Sequence, residues 1–395
     1  MMPDVPEQTG SPSPPRAEVV VDLSAIRSNV AQLVSAAAGA EVMAVVKADG
    51  YGHGAVAVAR AALAAGARWL GVCTLEEALK LRVGGITAPV LSWLHVPDED
   101  FAPAVAAGVD LSVSSRAHLA GVLDGARRAG RPARVHLKVD TGLSRGGVQP
   151  AQFPDLLDDA AKAAADGLVE VVAVWSHLAL ADEPHHPVLD RQSARLTEAW
   201  RLCIERGLQP IRHLANSAAT LTRPDLHFDL VRPGVAVYGL DPLGRPPAAS
   251  PLRPAMTFRA RVALVKRVPA GEGVSYGHEW TTPRETTLAV LPVGYADGVP
   301  RRLNRNGRMR VLIGGRLLPV VGRVCMDQIV VDCGDHPVHE GDEAVLFGPG
   351  DRGEPSAQDW ADELDTIHYE VVTGVGGPRV RRTIVDPTDD SGVAS

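Results

Sequence analysis

The sequence predicts a (β/α)₈ barrel followed by a mostly β domain, and three observations lead to this α/β fold class. Short apolar runs alternate with Ala-rich, helix-favouring segments between residues 41 and 238. A proline-rich stretch at 242–254 then ends this alternation. Beyond it, short apolar runs are separated by turn residues, as in antiparallel sheets. The 395 residues are enough for two domains with substantial cores.

The two ends of the chain are expected to lie outside the folded domains. Residues 1–16 contain five prolines and no apolar run, which predicts a disordered tail rather than a signal peptide. Residues 386–395 are expected to form a second disordered tail. A first strand at about 17–23 stands apart from the alternating pattern, and it is a candidate to pair with the C-terminal domain.

Eight apolar runs predict the strands of a barrel domain at 17–245. They lie near 41–47, 69–73, 89–93, 109–113, 134–139, 169–176, 210–214 and 229–238. The helix-favouring segments between them include 55–66, 76–83, 115–129 and 187–206. An open doubly wound sheet is the alternative, but it would normally carry a glycine fingerprint after its first strand. Gly50, Gly52 and Gly54 do not have that spacing.

The second half of the chain changes character after a stiff Pro-rich linker expected at 246–255. A β domain is predicted at 256–385 because its apolar runs are short and bounded by turn signals. These runs lie at 260–265, 287–291, 310–313, 329–331 and 344–347.

Composition excludes several classes of function. The net charge of −7 leaves no basic footprint for nucleic acid. No apolar run approaches the roughly 18 residues of a membrane span. The four cysteines show neither a CxxC pair nor metal-ligand spacing, so reduced thiols and no metal site are expected. A cytoplasmic protein that acts on a small molecule fits these limits.

Lys47 is one of only five lysines, against 35 arginines. Lys can lose its proton and act as an amine nucleophile, which Arg cannot do. Lys47 directly follows the apolar run 44–46 and precedes a glycine-rich turn. Its amine is therefore expected at the C-terminal end of a strand, a position that suits a Schiff-base lysine. The alternative is an ordinary solvated Lys.

Ionisable or polar side chains also follow other predicted strands, where the catalytic groups of such barrels lie. They are Lys138, Arg145, His177, Asn216, Ser217 and Arg232. Each has a structural alternative as well, since a lone His is often a core residue and Asn216–Ser217 fits a helix cap. Their recurrence at successive strand ends predicts an active site at the C-terminal rim of the barrel.

Tyr276 is the most unusual residue of the predicted β domain. It lies in Gly273-Val274-Ser275-Tyr276-Gly277, without an alternating apolar neighbourhood, which indicates a phenol placed on a loop. A phenol can act in acid–base catalysis if its surroundings lower its pKa from about 10.

With these residues in view, the chain resembles the alanine racemases, a family of fold-type III pyridoxal phosphate (PLP) enzymes. The similar segments follow in order over nearly all of 17–383. They are AVVKADGYGHGA at 44–55, KVDTGLSRGG at 138–147, SHLALAD at 176–182, HLANSAA at 213–219, VRPGVAVYGLDP at 231–242, GVSYG at 273–277, VLPVGYADGVPR at 290–301, VGRVCMDQ at 321–328 and TIHYE at 366–370.

The resemblance implies a PLP enzyme that interconverts L-alanine and D-alanine and supplies D-alanine for peptidoglycan. It implies a homodimer whose active sites are shared between subunits. Lys47 would hold PLP as a Schiff base and serve as one acid–base group, while Tyr276 of the other subunit would serve as the opposite one.

The resemblance also implies roles around the cofactor. Arg232 would meet the pyridine nitrogen, and His177 would lie between Arg232 and Tyr276. Arg145 would contact the cofactor's phenolic oxygen and the substrate carboxylate, with help from the backbone of Met326 of the second subunit. The remaining residues would bind the cofactor (Tyr51, Asn216, Ser217, Gly234, Val235, Tyr369) or line the access corridor (Asp182, Tyr295).

Lys138 carries a second implication, because a neutral Lys amine can add carbon dioxide to form a carbamate that would pair with Arg145. The alternative is an ordinary barrel lysine. The sequence departs from the family pattern at Leu143, where Met is common, at Gly146, where a bulkier residue is common, and at His368, where Asn is usual.

Three other functions fit parts of this pattern. Fold-type III decarboxylases typically place Glu where Arg232 stands, which argues against that class. A broader-specificity racemase of small amino acids is closer, but such proteins are usually exported and often lack the carbamylated Lys. A non-catalytic PLP-binding protein of the same barrel type would lack the second domain that carries Tyr276 and Met326.

Overall fold

The computed structural model describes residues 14–386 and divides into two compact units. The barrel unit comprises Val21–Met256 and the segment from Ile384, and the sheet unit comprises Thr257–Thr383 and the segment up to Val20. Most of the two predicted tails lies outside the described residues. At their inner ends, Arg16 donates to Asp297 Oδ1 at 2.8 Å and Arg27 donates to Asp386 Oδ2 at 2.8 Å.

After strand β1 (Ala17–Asp22), eight parallel strands form a nearly closed barrel, which confirms the predicted fold class. They are β2 (Glu41–Val45), β3 (Trp69–Val72), β4 (Val90–Ser92), β5 (Asp110–Val113), β6 (Ala133–Lys138), β7 (Val169–Trp175), β8 (Ile211–His213) and β9 (Leu230–Val231). Their sequences are nearly continuous apolar runs because both faces of each strand are covered.

The order β8-β7-β6-β5-β4-β3-β2-β9 brings the last strand beside the first. Glu41 pairs with Leu230 across that seam, and Asp229 N donates to Arg212 O at 3.2 Å on the β8 side. The eighth run was predicted to extend to Tyr238, but its strand ends at Val231. Pro233 has no N–H to donate, so the ladder stops and a 3₁₀ turn follows at Val235–Tyr238.

Helices cover the outside of the barrel. They are α1 (Leu23–Ala36), α2 (Ala55–Ala64), α3 (Leu75–Val83), α4 (Ala102–Ala106), α5 (Arg116–Ala129), α6 (Phe153–Ala165), α7 (Val188–Glu205) and α8 (Ser217–Thr222). Side-chain caps fix several starts: Asp22 accepts from Ser24 N at 2.8 Å, and Thr74 with Glu77 forms a capping box on α3.

The proline-rich stretch predicted as a linker belongs to the barrel unit. Asp241 organises its beginning, because its carboxylate accepts from Leu243 N at 2.9 Å and from the Ser250 hydroxyl at 2.6 Å. Gly239 lies just before it with φ +79°, and the carbonyl oxygen of Arg253 lies 1.6 Å from the place where a Cβ would stand. This close approach requires glycine.

The sheet unit contains a nine-stranded, largely antiparallel sheet in the order β11-β14-β17-β16-β15-β18-β10-β1-β19 and a separate β12-β13 pair. The strands that follow the barrel are β10 (Met256–Arg261), β11 (Leu264–Val268), β12 (Gly273–Val274), β13 (Trp280–Thr281), β14 (Thr286–Leu291), β15 (Arg310–Ile313), β16 (Arg316–Val321), β17 (Ile329–Gly334), β18 (Glu343–Phe347) and β19 (Arg381–Val385).

Two helices accompany this sheet, α9 (Ala357–Leu364) and α10 (His368–Gly374). Trp360 of α9 packs in an aromatic cluster with Phe347 and Phe258, whose ring centroids lie 5.0 and 6.4 Å from its own. No helix among residues 14–386 is both long and apolar enough to cross a membrane.

Candidate active site

Lys47 begins a turn of left-handed backbone directly after the first barrel strand. Ala48, Asp49, Gly50 and Tyr51 have φ of 52°, 51°, 65° and 50°. Left-handed backbone brings Cβ close to the next carbonyl oxygen and costs roughly 1–2 kcal/mol for each residue other than glycine. The turn closes with hydrogen bonds from Gly50 N to Val46 O (2.9 Å) and from Gly52 N to Ala48 O (3.0 Å). Strain of this kind is typical of functional sites.

Glu77 holds this turn in place from the start of helix α3. One of its carboxylate oxygens accepts from Ala48 N at 2.6 Å, and the other accepts from Cys73 N at 2.7 Å. Asp49 adds a second contact with the same helix, since its Oδ1 lies 3.1 Å from Lys80 Nζ. The sequence interpretation missed Glu77, although Thr74-x-x-Glu77 carries the signature of a capping box.

The predicted phosphate-binding residues of the barrel lie together. The Ser217 hydroxyl accepts from Gly234 N at 2.8 Å and Ala236 N at 3.3 Å, so its own O–H remains a donor. A Cβ added at Gly234 would lie 2.5 Å from the Tyr51 hydroxyl oxygen, so glycine at this position allows that hydroxyl to approach the backbone closely. The group consists of Tyr51, Ser217, Gly234 and Val235, with Asn216 capping α8 by accepting from Ala219 N.

Arg232 is 5% exposed and its guanidinium has only neutral acceptors among its hydrogen bonds in the described structure. Nη1 lies 3.1 Å from His213 Nδ1, and Nη2 lies 3.2 Å from His177 Nδ1. Nη2 also donates to two backbone carbonyl oxygens, those of Ser176 and Leu214. Burial lowers the pKa of Arg232 to about 9, which still leaves it charged at neutral pH.

His177 therefore faces a cation rather than a carboxylate. Burial first, and then the charge of Arg232, holds the pKa of His177 well below its ordinary value of 6.5. The ring is neutral at pH 7 and its Nδ1 accepts the hydrogen bond from Arg232. His177 therefore lies beside Arg232, and its predicted position next to Tyr276 of a second subunit stays a prediction.

Lys138 ends strand β6 inside the same region. Burial, followed by the charges of Arg232 and Arg145, lowers the pKa of Lys138 to about 8. Its Nζ lies 4.2 Å from the ring centroid of Trp175. A Cβ added at Gly146 would lie 3.5 Å from this Nζ, so the departure from the family pattern at Gly146 leaves room beside the amine.

Arg145 lies on a loop fixed by Asp140, whose Oδ1 accepts from Gly142 N, Leu143 N and Ser144 N at 3.0 to 3.1 Å. Its side chain is exposed. Asp182, predicted for the access corridor, is also exposed and lies in the segment after β7.

The sheet unit presents three of its four predicted site residues on adjoining loops. Tyr276, Tyr295 and Met326 are 73%, 42% and 52% exposed. Tyr295 N donates to Cys325 O at 3.0 Å, and Ser275 Oγ donates to Arg323 O at 2.9 Å, which ties both tyrosine loops to the segment that ends in Met326.

The fourth residue, Tyr369, lies near the start of α10 and is half-buried. Sequence interpretation gave no role to Trp175 or His213, which lie against Arg232 and Lys138 in the barrel. Their positions in the sequence could have indicated a role in the site, because Trp175 and His213 are the last residues of strands β7 and β8.

Known proteins resemble this chain over almost its whole length. A family model described as "Alanine racemase, N-terminal domain" matches residues 21–242, and one described as "Alanine racemase, C-terminal domain" matches residues 255–384. An alanine racemase of Salinispora arenicola is 60% identical over 369 residues, which are 93% of this chain and 98% of that protein.

Solved structures give the same result. Alanine racemase from Streptomyces coelicolor A3(2) superimposes with a TM-score of 0.90 at 52% identity, covering 94% of this chain and 98% of that one. Alanine racemase from Bartonella henselae with covalently bound pyridoxal phosphate has a TM-score of 0.82 at 30% identity, covering 94% of this chain and 100% of that one. The chain described here belongs to the alanine racemase family.

Proposed function

We propose that this chain interconverts L-alanine and D-alanine with PLP bound to Lys47. The observation that carries the proposal is the position of Lys47 just after the first barrel strand, on a strained turn that also brings the Tyr51 hydroxyl to Gly234, whose N–H donates to Ser217. A lysine fixed in this way beside hydroxyl and backbone N–H donors suits a phosphorylated aldehyde cofactor.

The residues fit PLP at both ends of the molecule. The hydroxyls of Tyr51 and Ser217 and the backbone at Gly234 and Val235 would hold the phosphate, and Arg232 would meet the pyridine nitrogen. Tyr369 is proposed as a further phosphate ligand. The close approach of the Tyr51 hydroxyl to Gly234, whose N–H donates to the Ser217 hydroxyl at 2.8 Å, supports this assignment. When bound, PLP supplies an electron sink that makes the α-proton of the amino acid removable.

Two acid–base groups on opposite faces of the substrate suit a reversible exchange of enantiomers. Lys47 would serve one face, and Tyr276 from a second subunit would serve the other. The exposure of Tyr276 and Met326 supports this arrangement, since such side chains are available to a partner molecule. The protein is accordingly proposed to be a cytoplasmic homodimer that supplies D-alanine for peptidoglycan.

Arg232 would restrict the chemistry to proton exchange. Its guanidinium stays charged and cannot take the proton of the pyridine nitrogen. All its hydrogen-bond acceptors in the described residues are neutral, so no carboxylate there contacts the guanidinium directly. The resulting weaker electron sink would limit transamination and decarboxylation.

Lys138 is proposed to carry a carbamate that positions Arg145. The neutral amine adds carbon dioxide, an N–C bond forms, and one proton is released to solvent. The depressed pKa of Lys138 supports this step, because much of the amine is neutral near pH 8. Glycine at position 146 also keeps a side chain away from this amine, since a Cβ there would lie 3.5 Å from Lys138 Nζ.

The direct test is to incubate the purified protein with PLP and L-alanine and resolve the enantiomers over time. Formation of D-alanine to an equal mixture is expected, and parallel incubation with L-serine measures the breadth of the substrate range. Borohydride reduction and peptide mapping should place the cofactor label on Lys47. A label on Lys80, Lys162 or Lys266 would overturn the assignment.

Sharing of the site is tested with two inactive variants, Lys47→Ala and Tyr276→Ala. In a mixed dimer both lesions fall in one site and the other site is intact. If subunits mix at random, about a quarter of all sites should recover activity after the two variants are dissociated together and reassociated with PLP. No recovery despite demonstrated subunit exchange would mean that each site is built within one chain.

A further inference from the structure

A continuous chain of hydrogen bonds leads from Arg232 through the barrel interior. Arg232 Nη1 lies 3.1 Å from His213 Nδ1, and His213 Nε2 lies 2.9 Å from His136 Nδ1. His136 Nε2 then lies 3.1 Å from Asp110 Oδ2. Asp110 in turn accepts from Arg134 Nε at 2.7 Å. A buried carboxylate is thus connected to the Arg232 guanidinium through two imidazole rings.

These groups occupy the two ends of the barrel and the space between them. Asp110 is the first residue of β5, His136 lies within β6, and His213 ends β8 near the C-terminal rim. Asp110 is 1% exposed, and His136 and His213 are fully buried. Trp175 stacks on the His213 ring at 5.3 Å between centroids, which fixes the plane of that ring. The proposed function uses none of these three residues.

The direction of each hydrogen bond in this series follows from the Asp110 carboxylate at its end. A carboxylate only accepts, so His136 must donate its Nε2–H to Asp110, and its Nδ1 is then an acceptor. His213 must therefore donate Nε2–H to His136, which leaves the Nδ1 lone pair of His213 for Arg232. Every link joins one donor to one acceptor, so both rings are neutral and both carry the proton on Nε2.

The opposite tautomer of His213 would place its Nδ1–H against the Arg232 N–H at 3.1 Å. Arg232 has little freedom to avoid that clash, because Nη2 is held by two carbonyl oxygens and by His177. Burial first, and then the charge of Arg232, keeps the pKa of His213 far below its usual range, in agreement with a neutral ring. Burial alone would raise the pKa of Asp110, but His136 and Arg134 lower it, which keeps the carboxylate ionised.

We propose that Asp110 and His136 are positioning residues that hold His213 in its Nε2–H tautomer and thereby fix the Arg232 guanidinium for the cofactor ring. The effect on catalysis rests on the proposed function of Arg232. The tautomers themselves do not depend on it, and they are measurable whether or not the protein racemises alanine.

The variant Asp110→Asn tests the proposal with little change of shape. Arg134 donates to both Asp110 oxygens, from Nε at 2.7 Å and from Nη2 at 3.3 Å. The shorter Nε bond would take the amide oxygen of the Asn, so the amide N–H would turn towards His136 Nε2. His136 and His213 must then both move their protons to Nδ1, which sets two donors against each other at Arg232. Glu170→Gln is the matched control, because Glu170 accepts from the same Arg134 at 2.8 Å but has no contact with the histidines in the described structure.

Nitrogen NMR of the PLP-loaded protein with ¹⁵N-labelled histidine identifies the tautomers, with assignments from His136→Gln and His213→Gln. We expect Nε2–H for both rings in the wild type and in Glu170→Gln, and Nδ1–H for both in Asp110→Asn. An Nδ1–H tautomer of His213 in the wild type would overturn the proposal.

The rate of racemisation then distinguishes a positioning role of Asp110 from a purely structural one. In Asp110→Asn we expect kcat to fall about ten- to a hundredfold, the range seen when a group that orients a ligand through a second hydrogen bond is removed. The Glu170→Gln value should equal that of the wild type. Inverted tautomers with unchanged kcat would overturn the positioning role. A wild type without racemase activity would refute the proposed function alone.

Discussion

Replacement of Glu77 by Ala should release the turn that presents Lys47. The change removes the acceptor of Ala48 N at 2.6 Å and of Cys73 N at 2.7 Å without touching the Lys47 side chain. It also removes the acceptor of Thr74 N at 3.3 Å, and with it half of the capping box of α3. The turn then depends on its internal backbone hydrogen bonds. We expect it to leave the left-handed conformation for part of the time and to misplace the amine.

The magnitude follows from the strain and the lost hydrogen bonds. Three residues other than glycine, Ala48, Asp49 and Tyr51, hold left-handed backbone, which stores about 3–6 kcal/mol at 1–2 kcal/mol each. A hydrogen bond to a charged acceptor contributes about 1.5–3 kcal/mol. The bond from Ala48 N therefore offsets about half of the strain. Since Glu77 is half-buried and water replaces part of the loss, local opening should become easier by about 2 kcal/mol.

Hydrogen exchange with mass spectrometry measures this opening directly. A change of about 2 kcal/mol corresponds to roughly 30-fold faster exchange of the amides at 48–54, since about 1.4 kcal/mol is tenfold. Glu76→Ala is the matched control, because Glu76 is the exposed neighbour on the same helix. Racemisation should fall in Glu77→Ala and not in the control. Equal exchange of 48–54 in the two folded variants would refute the reasoning.

Three further outcomes are expected. The pKa of Lys138 is about 8 in the folded protein, against an ordinary 10.5. Between pH 8 and 10.5 the unfolded chain therefore binds more protons at this residue than the folded protein does. Lys138 consequently makes the free energy of unfolding rise with pH over that range. A carbamate on Lys138 would remove the cost of burying the charged amine. Bicarbonate near pH 8 should therefore raise the Tm of the wild type and leave the Tm of Lys138→Met unchanged. Equal Tm shifts in the two proteins would contradict the carbamate. Gly239→Ala should destabilise the protein by more than about 3 kcal/mol in urea unfolding, because of the contact with Arg253 O, while Gly244→Ala, with positive φ but open space, should cost about 1 kcal/mol. Arg232→Glu should slow racemisation and increase transamination products in chromatographic assays, and an unchanged product ratio would show that residue 232 does not face the cofactor ring.

The barrel could be predicted from sequence because its strands are buried on both faces. Runs such as Val42–Val46 and Val171–Trp175 are apolar without interruption and bounded by helix-favouring residues. The rim residues could also be predicted, since Lys47, Lys138 and His177 follow such runs. The proximity of Lys138 and His177 to Arg232 could be predicted from the parallel order of the strands.

Other features depend on context that a local pattern does not contain. The glycines after Lys47 indicated a turn, but nothing in the sequence predicts left-handed backbone at Ala48, Asp49 and Tyr51. Asp110 lies at the start of strand β5 and His136 lies within strand β6. The two residues are 26 positions apart in the sequence, so only the folded barrel brings them together. Conversely, Ser356-x-x-Asp359 has the sequence of a capping box and indicates the start of helix α9. Pro319 lies within strand β16, and proline argues against a strand in a sequence-based prediction.

The position of strand β1 has a consequence for synthesis. It lies between β10 and β19 in the finished sheet, yet the ribosome must make the whole barrel before either neighbour exists. At about 5–20 residues per second, the strand waits for many seconds with its apolar face of Ala17, Val19 and Val21 unpaired. Such a strand can join another nascent chain, and an interposed charge opposes that. Glu18 is a charge of this kind, and in the finished sheet it accepts from Arg259 Nε of β10 at 2.9 Å. We therefore expect the same carboxylate to disfavour wrong pairing and to favour the correct neighbour.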